Sequence, residues 1–488
     1  MIVALRQVGY SFEQAISDLV DNSINGRAAN VLIRFICDEN RIRSCVIADD
    51  GVGMSESRMN EAMRFGSLPS TDPDSLGKYG MGLKLASLSH ASRVTVLSRQ
   101  SGSVHGRRWT VEGIGNGWRC EVLNQTDALS AINSAWGPVD LRKSGTLIIW
   151  DEIDRLPVGT RGLKSLLRSL QSRLELHLGM CFHRFLEAGS LQVFIDQQTE
   201  GAKEHSICPR ISGLDPFAYP SSGKIGYPKT FRARLPDLGT LEAEAHIWPP
   251  YSDSPAYKLG NKTAARQGFY FYRNNRLIQA GGWNGVVQHE TEPHSSLARI
   301  RVDLPVAFDD AFGLNVQKSA IVVPPGFQEA MIGAVADDGE TFEDYRRTAQ
   351  LVYREHDRTV QALKSLVPGN GLPKKLRVSA GVLLAPNETD ICPVDFEWTD
   401  LPDSELFRID KRVILLNSCY RKNILAGDSA SGADVPLFKL MLFMLLRDDL
   451  ERESLSSGRR RHLDQLNRLL SDAAGFIRKP SSKVDFQV

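Results

Sequence analysis

The chain has 488 residues, with 59 Lys+Arg against 58 Asp+Glu and a net charge of +1. That balance excludes a global electrostatic attraction to nucleic acid or an anionic membrane, so any such contact has to be local. The length exceeds what a single core supports and calls for roughly two to four domains.

The 7 cysteines form no CxxC pair and are odd in number, which reads as reduced thiols in a cytoplasmic protein. The N-terminal residues lack the basic, apolar and small-residue order of an export signal. The longest apolar run, residues 437–446, is short for a bilayer and is interrupted by Lys439, so no membrane association is expected.

Ser11 followed by Gln14 is a capping-box signature that opens a helix running to about Ile24. Phe12, Ala15, Ile16, Leu19, Val20 and Ile24 fill one apolar arc of that helix. The opposite arc holds Asp18, Asn22 and Asn25, with Asp21 at its edge, and is expected to face solvent. One turn apart, the Asp18 carboxylate and the Asn22 amide oxygen form a pair suited to a hydrated Mg2+. Taken alone, the pattern describes an ordinary surface helix more readily than a site.

Residues 31–37 and 42–48 are β-branched and alternating around the turn at 38–40, which predicts a hairpin. Its second strand runs into Asp49-Asp50-Gly51-Val52-Gly53-Met54. Glycines at alternate positions allow a sharp bend and close approach to a flat ligand, and a carboxylate before them can accept from an exocyclic amine. A plain Asp-Gly turn has the same local sequence.

Residues 68–75 read as a loop that leads to Gly77-Lys78-Tyr79-Gly80-Met81-Gly82-Leu83-Lys84 and a helix to about Ser89. Glycines before a helix N-terminus free backbone N–H groups to cradle phosphates. The spacing is neither that of a P-loop nor that of a dinucleotide fingerprint, which would follow a strand. Lys84 reads either as a point charge for phosphates or as a solvated lysine. A strand over 93–99 and a second hairpin arm over 107–112 follow.

The order of these three motifs resembles that of the GHKL ATPases, the superfamily of gyrase, heat-shock chaperone, histidine kinase and MutL. Ser144-Gly145-Thr146 before the strand LIIWDEI is similar to the family's closing threonine, and the chain looks nearest to the bacterial MORC-like and MutL-like group. The implied fold is α+β: a GHKL (Bergerat) α/β sandwich with a mixed antiparallel sheet over 1–158. An S5-like transducer domain over 159–330 and a mixed, mainly helical C-terminal region over 331–488 would follow it.

The resemblance implies ATP and Mg2+ as cofactors and assigns roles by motif position. Asn22 would hold Mg2+, and Asp49 would accept from the adenine amine beside Gly51, Gly53, Met54 and Thr146. Gly77, Lys78, Gly80, Gly82 and Lys84 would wrap the phosphates. Asp18 would orient the attacking water, a place where hydrolysing members usually carry Glu. Aspartate is one methylene shorter, and a misplacement of about 1 Å costs about a hundredfold in rate, so slow turnover is expected.

Residues 160–186 read as one helix with leucines on the buried side. His177 and His183 lie six apart, off a common face, and are read as packing residues rather than metal ligands. Residues 201–265 suggest β structure with loops and a strand near 240–248. The aromatic strand from Gly268 ends in Arg273-Asn274-Asn275-Arg276, similar to the transducer strand of MutL-like and MORC proteins. By order and context Lys318 would reach the γ-phosphate from that domain.

Further on, a helix is expected within 330–366, a strand near 412–420, a helix over about 436–452 buried nearly all round, and a last helix over 461–477. The cluster Arg459-Arg460-Arg461 reads as a solvated helix start. The function implied is an ATP-hydrolysing, nucleotide-gated homodimeric clamp, with DNA as a candidate client in genome or antiviral defence. The alternative is a nucleotide-sensing dimerisation module with little or no hydrolysis.

Overall fold

The computed structural model describes residue 6 and residues 10–64, 82–156, 162–201, 208–260, 263–287, 292–314, 321–362, 365–385, 391–425, 431–450 and 457–476. The chain divides into two compact units, Met1–Tyr353 and Arg354–Val488.

The first unit opens with helix α1 (Phe12–Asn25), held at its start by both halves of the expected capping box. The Gln14 N–H donates to the Ser11 hydroxyl at 3.2 Å, and the Ser11 N–H donates to Gln14 Oε1 at 3.1 Å. The strands β1 (Asn30–Cys37), β2 (Ile42–Asp49), β3 (Ala91–Gln100), β4 (Ser103–Thr110), β5 (Cys120–Val122), β6 (Gly145–Ile153) and β7 (Gln192–Thr199) form one sheet. Their order is β5-β4-β3-β6-β2-β1-β7. All neighbours are antiparallel except β7, which lies parallel to β1.

Alternation along β1 sorts the two faces. Val31, Ile33 and Phe35 join the core under α1, α3 (Gly82–His90) and α5 (Leu163–Cys181). Leu32 joins the opposite core with Leu97, Leu147 and the buried side of α4 (Gln125–Ile132). A short helix α2 (Glu56–Met63) lies between β2 and α3 in sequence. The long helix expected over 160–186 ends at Cys181, where Phe182 leaves helical geometry, and a separate turn, His183–Glu187, follows.

The same unit contains a second sheet built from β8 (Lys229–Leu235), β9 (Gly239–Ile247), β10 (Gly268–Arg273), β11 (Arg276–Ala280), β12 (Ala298–Asp303) and the short strand Val335–Ala336, in the order β11-β10-β12-β9-β8 and then the short strand. The β10–β11 turn consists of Asn274 and Asn275 with φ of 46° and 65°. Two left-handed residues in a two-residue loop make the turn that matches strand twist, and asparagine tolerates that region. Phe342, Tyr345 and Ala349, on the first turns of α6 (Phe342–Ala362), pack into this sheet's core.

The second unit has a four-stranded sheet in the order Ser365–Pro368, Ile391–Thr399, Val413–Asn417, Phe407–Asp410. Leu442, Phe443 and Leu446 of helix Pro436–Leu450 cover its core. That helix is not buried all round as expected: Leu437, Met441, Met444 and Leu445 are exposed. Its apolar character hid a genuine two-sided pattern, because the buried side includes Lys439, bonded to Asp434 at 2.9 Å. Arg459, expected to be solvated, is bonded to the buried Asp449 at 2.7 Å. No described helix is long and apolar enough to cross a membrane.

Candidate functional site

The end of α1, the C-terminal end of β2 and the start of β6 meet at Asp49. In the register of β2 and β6, Asp49 stands directly opposite Thr146. The Ser23 hydroxyl of α1 donates to Asp49 Oδ2 at 3.0 Å, and the Gly51 N–H donates to Oδ1 at 3.0 Å. Its neighbour Asp50 has a different task, accepting from the Ala29 and Asn30 N–H groups at 2.8 Å and so fixing the link between α1 and β1. The paired aspartates of the motif therefore serve different contacts, Asp50 the link between α1 and β1 and Asp49 the junction of α1, β2 and β6.

The bend after Asp49 is built on close backbone approaches. A Cβ on Gly53, at φ 71°, would lie 1.9 Å from the Arg99 carbonyl oxygen, and one on Gly51 would lie 2.6 Å from that of Gly26. A Cβ on Gly145, at φ 141°, would lie 2.2 Å from the Asp49 carbonyl oxygen. The Ser98 hydroxyl joins the pieces, accepting from the Met54 N–H at 2.8 Å and contacting the Gly145 carbonyl and the Thr146 hydroxyl at 3.0 Å each. The result is a tight backbone bend at Gly51 and Gly53 that holds the buried Asp49 carboxylate against Ser23 and the start of β6. Such a carboxylate suits a flat base that presents an amine.

Burial pushes the Asp49 carboxyl up to about 6, against the opposing effect of the Gly51 and Ser23 hydrogen bonds. The folded chain thus holds this proton at pH values where an unfolded aspartate has lost it. An amine donor is best accepted by the ionised carboxylate, so adenine-nucleotide affinity is expected to rise with pH through about 6 and flatten above. The slope is up to about tenfold per pH unit below that point. Calorimetric titrations across pH 5 to 8 on the wild type and Asp49→Asn check this; a wild-type slope no steeper than that of the variant refutes the role of Asp49.

Asp18 does not lie on an exposed stripe. It is 1 % exposed, and the Tyr10 hydroxyl donates to its Oδ2 at 3.1 Å. Gly82, the first residue of α3, stands so close that a Cβ there would lie 3.4 Å from Asp18 Oδ2. Asp21 is also buried, because Arg276 of β11 donates to its Oδ1 at 2.7 Å and to the Ser17 hydroxyl at 3.0 Å. Of the expected polar arc, Asn22 and Asn25 are exposed, whereas Asp18 and Asp21 are buried. The oxygen-only pair of Asp18 and Asn22, one turn apart beside the start of α3, has the donor chemistry that suits Mg2+.

Lys84 departs from both expectations. It is 2 % exposed, and its ammonium donates to the Ala62 carbonyl at 3.1 Å and to that of Arg64, at the end of α2. A lysine satisfies the open carbonyls of a helix C-terminus in this way. Burial lowers its pKa to about 8. Gly77, Lys78, Gly80 and Lys318 lie outside the described residues.

Tyr10, Ser23 and Ser98 escaped the sequence reading, as did the pairing of Arg276 with Asp21. Asp21 at the edge of an apolar arc was a usable signal for a missing cation, and the two-asparagine turn was one for the exact placement of Arg276.

Residues 10–146 match the family model described as "Histidine kinase-, DNA gyrase B-, and HSP90-like ATPase". The chain carries a GHKL-type ATPase domain. No curated protein matches the chain. Among solved structures it is similar to one described as the N terminal domain of a DNA repair protein, at 15% identity and a TM-score of 0.40, over 73% of this chain and 98% of that one. The elements placing Asp18, Asn22, Asp49 and Thr146 all begin within the matched residues of the GHKL domain.

Proposed function

We propose that this chain is a slow Mg2+-dependent ATPase in which nucleotide gates a homodimeric clamp, with DNA as its client. The observation that carries the hydrolytic part is the burial of Asp18 against Tyr10 at the first residue of α3. In this reading Asp49 accepts from the adenine amine, with Thr146 on the facing strand, while Asn22 supplies an oxygen to the metal. Bound Mg2+ neutralises charge on the phosphate oxygens. Asp18 orients a water and receives its proton, and the Tyr10 hydroxyl holds its carboxylate in place. Gly77, Lys78 and Gly80 on the phosphates, and Lys318 reaching the γ-phosphate from the second sheet's domain, complete the proposed site by motif order. The second sheet acts as transducer, joined to α1 through Arg276.

One observation favours the sensor alternative: Asp18 is shorter than the glutamate of hydrolysing relatives, and one of its oxygens is already engaged. Both readings share nucleotide-driven dimerisation. Size-exclusion chromatography of the full chain, with and without a non-hydrolysable ATP analogue, is expected to show a shift from monomer to dimer. Added duplex DNA is expected to co-elute with the dimer. An unchanged elution volume with the analogue rules out the clamp, and a dimer that excludes DNA rules out DNA as its client and the defence role that rests on it.

A further inference from the structure

Outside the nucleotide site, the turn of helix after α5 brings together a histidine and two carboxylates. His183 Nδ1 lies 3.8 Å from Glu187 Oε2 and 3.9 Å from Asp215 Oδ1, and the three ligand atoms all fall within 4.8 Å of one another. His183 is 3 % exposed, and its Nδ1 is buried with no hydrogen-bond partner among the described residues. The other ring nitrogen is engaged by the Tyr272 hydroxyl of β10 at 3.0 Å, which fixes the orientation of the imidazole. A buried, unpaired nitrogen facing two carboxylates is a costly arrangement unless something positive lies between them.

The nearby arginines do not fill that place. Arg184 is bonded through both terminal nitrogens to Asp303, and Arg301 to Glu244. The Tyr272 contact at the other ring nitrogen leaves Nδ1 turned toward the two carboxylates. The loop carrying Asp215 is seated tightly: a Cβ on Gly213 would lie 2.9 Å from Glu187 Cγ, and Asp215 Oδ1 also accepts from the Phe217 N–H at 2.9 Å.

We propose that His183, Glu187 and Asp215 bind a divalent metal ion of the Zn2+ or Mn2+ class. One imidazole and two carboxylates, with a further position for water, is an N/O ligand set those ions accept. Tetrahedral ligands about 2.1 Å from Zn2+ are about 3.4 Å apart, so the two histidine–carboxylate separations of 3.8 and 3.9 Å need to close by about half an ångström, and the carboxylate pair starts within 4.8 Å. The Tyr272 hydroxyl is the outer partner that such a histidine requires. The ion ties the helix end after α5 to the loop before β8 and, through Tyr272, to β10.

The test uses the full chain, stripped with chelator, free of nucleotide, and titrated with Zn2+, then with Co2+ for its spectrum. Wild type is expected to bind one equivalent more than His183→Ala, with visible Co2+ bands of imidazole–carboxylate rather than thiolate character and a metal-dependent rise in Tm. Because the cysteines are unchanged in the variant, the difference reports this site alone. Glu187→Gln is expected to weaken that equivalent by more than about tenfold, and His183→Ala to abolish it. Should His183→Ala fail to fold, the half-exposed Glu187 side chain makes Glu187→Gln the deciding variant. Equal Zn2+ stoichiometry, affinity and Tm response in wild type and Glu187→Gln overturns the proposal.

Discussion

Asp18→Asn is expected to lower the ATP turnover number by about 10²- to 10⁴-fold, with ATP affinity within a few-fold of wild type. The amide keeps the shape of the carboxylate, and its oxygen can still accept from the Tyr10 hydroxyl that reaches Asp18 at 3.1 Å. What it lacks is the capacity to take a proton from water. Asp49, the carboxylate proposed to accept from the adenine amine, is unaltered, so binding is expected to be preserved. Phosphate release under saturating Mg-ATP measures the first quantity and equilibrium titration the second. A variant that turns over at the wild-type rate removes Asp18 from the chemistry. A wild type that binds ATP but releases no phosphate above background makes the protein a nucleotide sensor.

Arg276→Met is expected to destabilise the first unit by about 3–5 kcal/mol. Asp21 and Arg276 are 0 % and 2 % exposed at the side chain, and their contact is 2.7 Å. Removing the guanidinium leaves a carboxylate buried without its partner and strips the Ser17 hydroxyl of its donor. The double variant Asp21→Asn with Arg276→Met is expected to recover part of the loss, since no buried charge is then left alone. Urea denaturation followed by tryptophan fluorescence gives both values. A single-variant loss below about 1 kcal/mol shows the pair to be no stronger than a surface contact. Because Asp18 lies on α1 three residues before Asp21, turnover is expected to fall together with stability.

The parts of the fold set by local chemistry were legible in the sequence. The capping box fixed the start of α1, alternation fixed β1 and β2, and the glycine spacing marked the bend after Asp49. What escaped was burial imposed from far along the chain. Periodicity placed Asp18 and Asp21 on a solvent face because Arg276, 255 residues from Asp21, is invisible to a helical wheel. His183 shares no helix face with His177 in the sequence, whereas the fold brings it near Glu187, one turn on, and Asp215 in a loop. Lys84 was read for its charge, but its neighbours are carbonyls that only the placement of α2 brings near.

The stretch that carries the family signature is shorter than the stretch that makes the fold. Residues 10–146 match the family, yet β6 runs on to Ile153, β7 is recruited from Gln192–Thr199 to complete the first sheet, and compactness extends to Tyr353. A graft of the matched residues onto another protein would carry the nucleotide motifs without an edge strand and without a counter-charge for Asp21. The compact unit that holds the nucleotide motifs therefore includes both sheets.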